Sequence, residues 1–141
     1  MSRVRFNVTA GNFAEAITAA GELLVEAGHV RADYVPAMVR VVEELGPYIV
    51  LVDGIALAHA APGDSVLENS IALVSLSNEV DFGSGKLVKL VFALAAKDHD
   101  AHIETLGRLA ELLADDDTRK LLLNADEYEQ IRPLLSTVLG E

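Results

Sequence analysis

The sequence lacks cysteine and tryptophan entirely over its 141 residues. The absence of cysteine excludes disulfide bonds, thiolate catalysis and metal sites with cysteine ligands, and it suits the cytoplasmic location that we expect. Aromatic residues make up only 5% of the chain, whereas hydrophobic residues make up 51%. We therefore expect one domain over residues 1–141, with a core of leucine, valine, isoleucine and alanine.

Basic residues are also scarce. The chain has 11 lysines and arginines and 22 acidic residues, which gives a formal charge of −11. Binding to nucleic acid requires clustered lysine and arginine, so we expect no nucleic-acid partner. The same charge disfavours anionic membranes and would attract a basic protein. The alternative is that the acidic surface only keeps the protein in solution.

Long hydrophobic runs are missing as well. No stretch approaches 18 uninterrupted apolar residues, and the N-terminal segment has no apolar run of the length found in signal peptides. We therefore expect no direct insertion of this chain into a membrane.

The first third of the chain predicts a short strand and two helices. The strand covers Val4 to Val8. Apolar residues at helical spacing predict a helix over 11–28, which Asn12 or Thr9 could cap. A second helix is predicted from Ala32 or Asp33 to about Leu45, where Gly46 and Pro47 would end it.

The rest of the chain predicts a sheet followed by further helices. Strands are predicted over 48–52, 55–60, 70–76 and 86–96, with turns at 53–54 and 80–86. Helices are predicted over 102–116, 117–125 and 126–139. Buried strands combined with helices indicate the α/β class, with helices on both faces of a sheet.

His59 is the most prominent candidate for chemistry. It follows the strand-like segment from Gly54 to Ala58 and precedes a loop, and functional groups in α/β folds gather at such strand ends. The alternative interpretation is a half-buried histidine with a structural role.

His99 and His102 are two further candidates, at a transition from strand to helix. Asp98 or Asp100 could cap that helix, which would place His102 in its first turn, where the helix dipole favours a neutral ring and nearby anions. The alternatives are two surface histidines or a metal site that includes the aspartates, but no complete metal motif is present and we expect no metal. For His29, which follows Gly28, capping of the first helix is the better interpretation.

Two segments carry a resemblance to a known family. They are GPYIVLVDGIALAHAAPGDSVLENSIALVSL, residues 46–76, and VDFGSGKLVKLVFALAAKDHDAHIETLGRLAELLADD, residues 80–116. They resemble enzyme IIA domains of the mannitol/fructose (type 2) class of the bacterial sugar phosphotransferase system, and look closest to the ascorbate-type branch. The resemblance extends from about residue 10 to residue 138.

The resemblance implies a three-layer α/β/α sandwich with a mixed central sheet. It also implies that His59 accepts a phosphoryl group from the histidine phosphocarrier protein. The group would pass to enzyme IIB, and then to the sugar that enters through the membrane component, enzyme IIC. His102 matches the second histidine, which contacts the phosphoryl group. No cofactor and no metal are expected, and a homodimer is one option for assembly.

The chain departs from the family pattern next to the candidate acceptor. The family usually has proline before the histidine, where this chain has Ala58, and the ascorbate branch usually has arginine where this chain has Ala61. Related families often carry a further arginine on the preceding helix, and Arg40 is the nearest substitute for it in this chain. The alternatives to a transport role are a regulatory protein of the nitrogen type, whose phosphorylation switches protein binding, and an interaction module without phosphotransfer.

Overall fold

The computed structural model describes residues 3–139. Within this range, a sheet of five strands is surrounded by helices. The strands are β1 (Val4–Val8), β2 (Val50–Val52), β3 (Gly54–His59), β4 (Ser70–Asp81) and β5 (Leu87–Ala95). The helices are α1 (Phe13–Glu26), α2 (Tyr34–Leu45), α3 (His99–Leu113), α4 (Asp116–Asn124) and α5 (Arg132–Leu139).

The sheet is mixed, with the strand order β1-β4-β5-β3-β2. β1 and β4 are parallel, as are β3 and β5, whereas β4 pairs with β5 and β2 pairs with β3 in antiparallel fashion. Because β3 and β5 are parallel and adjacent, their carboxyl ends lie at the same edge of the sheet. That edge carries His59.

The core lies on both faces of this sheet. Helices α1 and α2 cover one face, on which alanine and valine side chains predominate, and we call it the α1/α2 face. Helices α3, α4 and α5 cover the other face, which is rich in leucine and includes Phe92, and we call it the α3 face. The predicted three-layer α/β/α sandwich with a mixed central sheet is confirmed.

Local signals define the ends of α1. The Asn12 side chain caps the helix by accepting a hydrogen bond from the Glu15 N–H at 2.9 Å. At the other end Gly28 has a φ of 77°, in the left-handed region that glycine tolerates. The His29 backbone N–H donates to the Leu24 carbonyl at 3.0 Å, so the capping role predicted for His29 is confirmed for its backbone.

Several boundaries differ from the prediction. Residues 47–49 form a 3-10 turn instead of the start of a strand, and β4 continues to Asp81, beyond the predicted end at residue 76. The segment 126–139 is not one helix, because a 3-10 turn at Tyr128–Gln130 precedes α5. Pro133 explains the break, since its ring cannot continue a helix from the preceding turn but fits a first turn.

No helix among residues 3–139 combines the length and the apolar character that crossing a membrane requires.

α1 and α2 approach each other closely at Gly21. A Cβ atom there would lie 2.8 Å from Val35 Cγ2 and 2.9 Å from Met38 Cε. Gly21→Ala should therefore lower the free energy of unfolding by about 1 kcal/mol, because overpacking outweighs the gain in helix propensity.

The matched control is Gly107→Ala in α3, where a Cβ atom would meet nothing within 4 Å. This variant should gain about 0.5–1 kcal/mol, as expected for an open helical site. Urea unfolding of the two variants measures both values, and equal shifts of the same sign would contradict the close approach at Gly21.

Candidate functional site

The site is built at the carboxyl end of β3. His59 is the last residue of that strand and pairs with Leu94 of β5. The side chains of Leu57 and Leu94 belong to the core of the α3 face, whereas Ala58 belongs to the α1/α2 face. Because side chains alternate along a strand, His59 points to the α3 side of the sheet, where it is half-buried.

One hydrogen bond determines the tautomer of His59. Its Nδ1 lies 3.0 Å from the carbonyl oxygen of Leu57. A carbonyl can only accept a hydrogen bond, so Nδ1 carries the proton and donates it. In a neutral imidazole the other nitrogen, Nε2, then has a free electron pair. The strand thus presents His59 with Nδ1 bound to the backbone, so that Nε2 is the nitrogen left free for chemistry.

The start of α3 brings a second histidine to the same place. The Asp98 side chain caps the helix by accepting a hydrogen bond from the Ala101 N–H at 2.8 Å. The His102 N–H donates to the Asp98 carbonyl, which closes the first turn. As a result the rings of His59 and His102 face each other, with centroids 5.2 Å apart and planes inclined by 52°.

The surroundings of His102 favour its neutral form. Burial lowers the pKa of His102 below its ordinary value of 6.5, and repulsion from His59 and His99 lowers it further. At neutral pH the ring is therefore uncharged, with one nitrogen as a donor and the other as an acceptor. A donor of this kind beside a nucleophilic nitrogen can hold an oxygen of an incoming phosphoryl group.

The other two histidines do not join this pair. His99, the first residue of α3, is exposed, and its charge contributes to the lowered pKa of His102. His29 follows α1 on the opposite face, where its Nδ1 lies 2.7 Å from the Ser70 hydroxyl and its Nε2 lies 3.4 Å from a Glu68 oxygen. Among residues 3–139, no group of three or more histidine, cysteine and acidic side chains could hold a metal ion.

Tyr34 reaches the same edge of the sheet, although sequence reasoning assigned it no role at the site. Its hydroxyl accepts a hydrogen bond from the Ala60 N–H at 3.2 Å and donates one to the Leu94 carbonyl at 2.6 Å. The local signal in the sequence was a tyrosine in the first turn of the second predicted helix.

No arginine contact with His59 or His102 is described within residues 3–139. The arginine contacts that the structure describes are with other groups: Arg3 with Ser70, Arg5 with Glu26, Arg31 with the Asp64 carbonyl, Arg108 with Glu104, Arg119 with Asp116, and Arg132 with Glu129. Ala61, which stands where the ascorbate branch has arginine, is exposed. The α3 N-terminus and His102 are two groups at the site that could stabilise an anion there.

A cavity of about 840 Å³ lies at the opposite end of the strands and is lined by Gly54, Lys86 and Leu87, among others. Neither His59 nor His102 lines it. The histidine pair therefore lies outside this cavity, at the carboxyl end of β3.

Comparison with known proteins identifies the family. The model of the family described as "Phosphoenolpyruvate-dependent sugar phosphotransferase system, EIIA 2" matches residues 1–138. The chain therefore belongs to this family, and it is a phosphotransferase component of the sugar phosphotransferase system. The resemblance seen in the sequence is confirmed.

Relatives and solved structures agree with this assignment. The chain is 30% identical to the mannitol-specific cryptic phosphotransferase enzyme IIA component of Escherichia coli (strain K12) over 129 residues, which are 91% of this chain and 88% of that protein. It is also 30% identical to the ascorbate-specific PTS system EIIA component of Shigella boydii over 117 residues, covering 81% and 76% of the two chains.

Among solved structures, the chain is similar to the complex of enzyme IIAMTL and phosphorylated enzyme IIBMTL from Escherichia coli. The TM-score is 0.83 at 26% identity, covering 96% of this chain and 94% of that one. A protein of this fold therefore binds an enzyme IIB component.

Proposed function

We propose that His59 accepts a phosphoryl group from the histidine phosphocarrier protein and passes it to enzyme IIB, for delivery to the sugar at enzyme IIC. The observation that carries this proposal is the hydrogen bond from His59 Nδ1 to the Leu57 carbonyl. In the neutral ring this bond leaves Nε2 with its free electron pair beside a second histidine, and an unprotonated nitrogen is what phosphoryl transfer requires.

The reaction is an in-line displacement at phosphorus. The electron pair of His59 Nε2 forms the new nitrogen–phosphorus bond, while the bond to the donor's histidine breaks and its electron pair stays on the donor ring. The negative charge spreads over three phosphoryl oxygens. Transfer to enzyme IIB reverses these roles, with His59 as the leaving group.

His102 would stabilise those oxygens by donating a hydrogen bond. Its position in the first turn of α3 adds the favourable end of the helix dipole. Ile55 and Leu57 are fully buried on the same side of the sheet. They would help to keep water from the strand beneath the phosphohistidine, which limits its hydrolysis.

The partners of this reaction are proteins. The solved complex of a relative with phosphorylated enzyme IIB supports an enzyme IIB partner, and the charge of −11 would attract basic surfaces. We propose the histidine phosphocarrier protein as the donor, a cytoplasmic location where donor and acceptor meet, and one enzyme IIA domain over residues 1–141. The relatives are mannitol- and ascorbate-specific, and we expect enzyme IIC to select the sugar.

The proposal is tested by incubating the protein with phosphoenolpyruvate, enzyme I and the histidine phosphocarrier protein of the same organism, followed by mass spectrometry. We expect an acid-labile gain of one phosphoryl group that maps to His59 and passes to enzyme IIB. A phosphohistidine that no enzyme IIB of that organism accepts would instead indicate a regulatory role. No gain would contradict phosphotransfer.

Ala61→Arg should speed this transfer, because the variant places an arginine where the ascorbate branch usually has one, two residues after His59. A guanidinium can bind two phosphoryl oxygens at once, and we expect a gain of about threefold to tenfold in the transfer rate. The control is Ala61→Gln, which has a long polar side chain without charge. Equal rates for the two variants would contradict an electrostatic effect of the arginine.

A further inference from the structure

Tyr34 connects the α1/α2 face to the edge of the sheet that carries His59. It is the first residue of α2, and only 2% of it is exposed. Its ring packs in the core of the α1/α2 face, on the side of the sheet opposite His102. Tyr34 therefore cannot touch the phosphoryl group directly, and its influence on the site has to pass through the backbone.

The Tyr34 hydroxyl stands in the place of a backbone hydrogen bond. The last pair of the parallel β3–β5 ladder is His59 with Leu94. In a regular parallel ladder, the bond that follows this pair would run directly from the Ala60 N–H to the Leu94 carbonyl. Instead, the Tyr34 hydroxyl accepts from that N–H at 3.2 Å and donates to that carbonyl at 2.6 Å.

This insertion has two consequences for the neighbouring histidine. Strand pairing ends at His59, so the chain leaves the sheet immediately after it. Both backbone groups at that point stay satisfied, although they are buried, and an unpaired buried group would be costly. The Tyr34 hydroxyl thus fixes the backbone on one side of His59, while the Leu57 carbonyl fixes its ring on the other side.

We propose that Tyr34 is a positioning residue, whose hydrogen bonds to Ala60 and Leu94 hold His59 in the orientation needed for phosphoryl transfer. This inference rests on the proposed role of His59 as the phosphoryl acceptor. The hydroxyl stays protonated at neutral pH, because burial raises the pKa of Tyr34 more than the hydrogen bond from Ala60 lowers it.

Tyr34→Phe removes only the hydroxyl and keeps the ring in the core. The Ala60 N–H and the Leu94 carbonyl then either lose their partner or move together and extend the ladder, and both outcomes shift His59. Because small displacements of a reacting group reduce rates strongly, we expect the maximal rate of transfer from the phosphorylated histidine phosphocarrier protein to fall about tenfold. The donor concentration at half-maximal rate should stay unchanged, since Tyr34 is buried.

Rapid-quench measurements of wild type and Tyr34→Phe test this expectation. The matched control is Met38→Ala, one turn further along α2, where a fully buried side chain packs in the same core. Its rate, measured at a temperature where it is folded, should stay within about twofold of wild type. An unchanged rate in Tyr34→Phe, or an equal loss in Met38→Ala, would overturn the proposal.

Nuclear magnetic resonance on the unphosphorylated protein separates this inference from the proposed function. The ring nitrogens of His59 should report a proton on Nδ1 in wild type and a mixture of tautomers in Tyr34→Phe. The Ala60 amide should exchange at least about tenfold faster in the variant. If wild type accepts no phosphate, the proposed function fails, whereas these spectra still test Tyr34.

If Tyr34→Phe does not fold, hydrogen exchange in the wild-type protein tests the same inference. Its Ala60 amide should be protected from hydrogen exchange by the buried hydroxyl, in contrast to the amide of the exposed residue Ala61. Rapid exchange of the Ala60 amide would show that the hydroxyl does not hold it, and would overturn the inference.

Discussion

His59→Gln should abolish phosphorylation of this protein. Glutamine preserves a polar side chain at the end of β3, but its amide nitrogen has no free electron pair with which to attack phosphorus. With the nucleophile gone, the rate of phosphoryl uptake should fall to background, by more than about 10³-fold. Mass spectrometry after incubation with phosphoenolpyruvate, enzyme I and the histidine phosphocarrier protein measures the result.

His99→Gln is the matched control, because His99 is an exposed histidine forty positions further along, at the start of α3. It should accept one phosphoryl group as wild type does. Should His59→Gln still gain an acid-labile phosphate while His99→Gln does not, the acceptor has been assigned to the wrong histidine. The fold of both variants can be checked by urea unfolding, since neither change reaches the core.

Local patterns in the sequence were sufficient to predict most of the architecture. Alternation between apolar strands and amphipathic helices predicted the α/β class, and short-range signals such as Asn12 and Gly28 marked the ends of α1. These signals succeed because capping and turn formation depend on a few neighbouring residues. The prediction that β4 ends at residue 76 was wrong, because β4 continues into a hairpin with β5, in which Val80 pairs with Val88 and Asp81 with Leu87. The polar residues 77–79 interrupt the apolar pattern on which the prediction relied.

The candidate site was predictable only in part. Strand ends and helix starts pointed to His59 and His102 individually, and the family resemblance paired them. Their separation of 5.2 Å depends on the registration of β3 against β5 and on the turn that leads into α3. The role of the Leu57 carbonyl in selecting the His59 tautomer was not predictable, since it depends on a side-chain rotation.

Tyr34 shows a different limit of prediction from sequence. Its hydroxyl forms hydrogen bonds with backbone groups of Ala60 and Leu94, which lie 26 and 60 positions away along the chain. A pattern of side chains does not show where a ladder of backbone hydrogen bonds is interrupted. Residues that act through the backbone of distant strands therefore need the three-dimensional structure to be found.

His102→Ala should slow phosphoryl transfer without abolishing it. The variant leaves Nε2 of His59 intact but removes the neighbouring ring that could donate to a phosphoryl oxygen. Loss of a donor of this kind typically costs about 10²-fold to 10³-fold in rate. Because the α3 N-terminus would still stabilise the anion, we expect a loss of about 10-fold to 100-fold. Rapid-quench measurement of the transfer rate checks this, and a rate equal to wild type would rule out the assigned role.

The pKa of His102 provides a second measurement of the same role. In the free protein, burial and the two neighbouring histidines lower this pKa below 6.5. The folded state then binds fewer protons than the unfolded state as the pH falls below about 6.5. Urea unfolding from pH 8 to pH 5 gives the difference in the free energy of unfolding between wild type and His102→Ala. This difference should be constant above about pH 6.5, and below that pH wild type should lose stability relative to the variant.

Phosphorylation of His59 should reverse the direction of that shift. A phosphoryl group brings negative charge to a site where the contacts described for the arginines are with other groups, and a nearby anion favours the protonated form of an imidazole. The pKa of His102 should therefore rise in the phosphorylated protein, so that His102 carries a positive charge more readily when the phosphoryl group is present. Titration of the His102 ring by nuclear magnetic resonance in both states measures the shift. An unchanged pKa would mean that the phosphoryl group points away from His102, towards solvent or the partner protein.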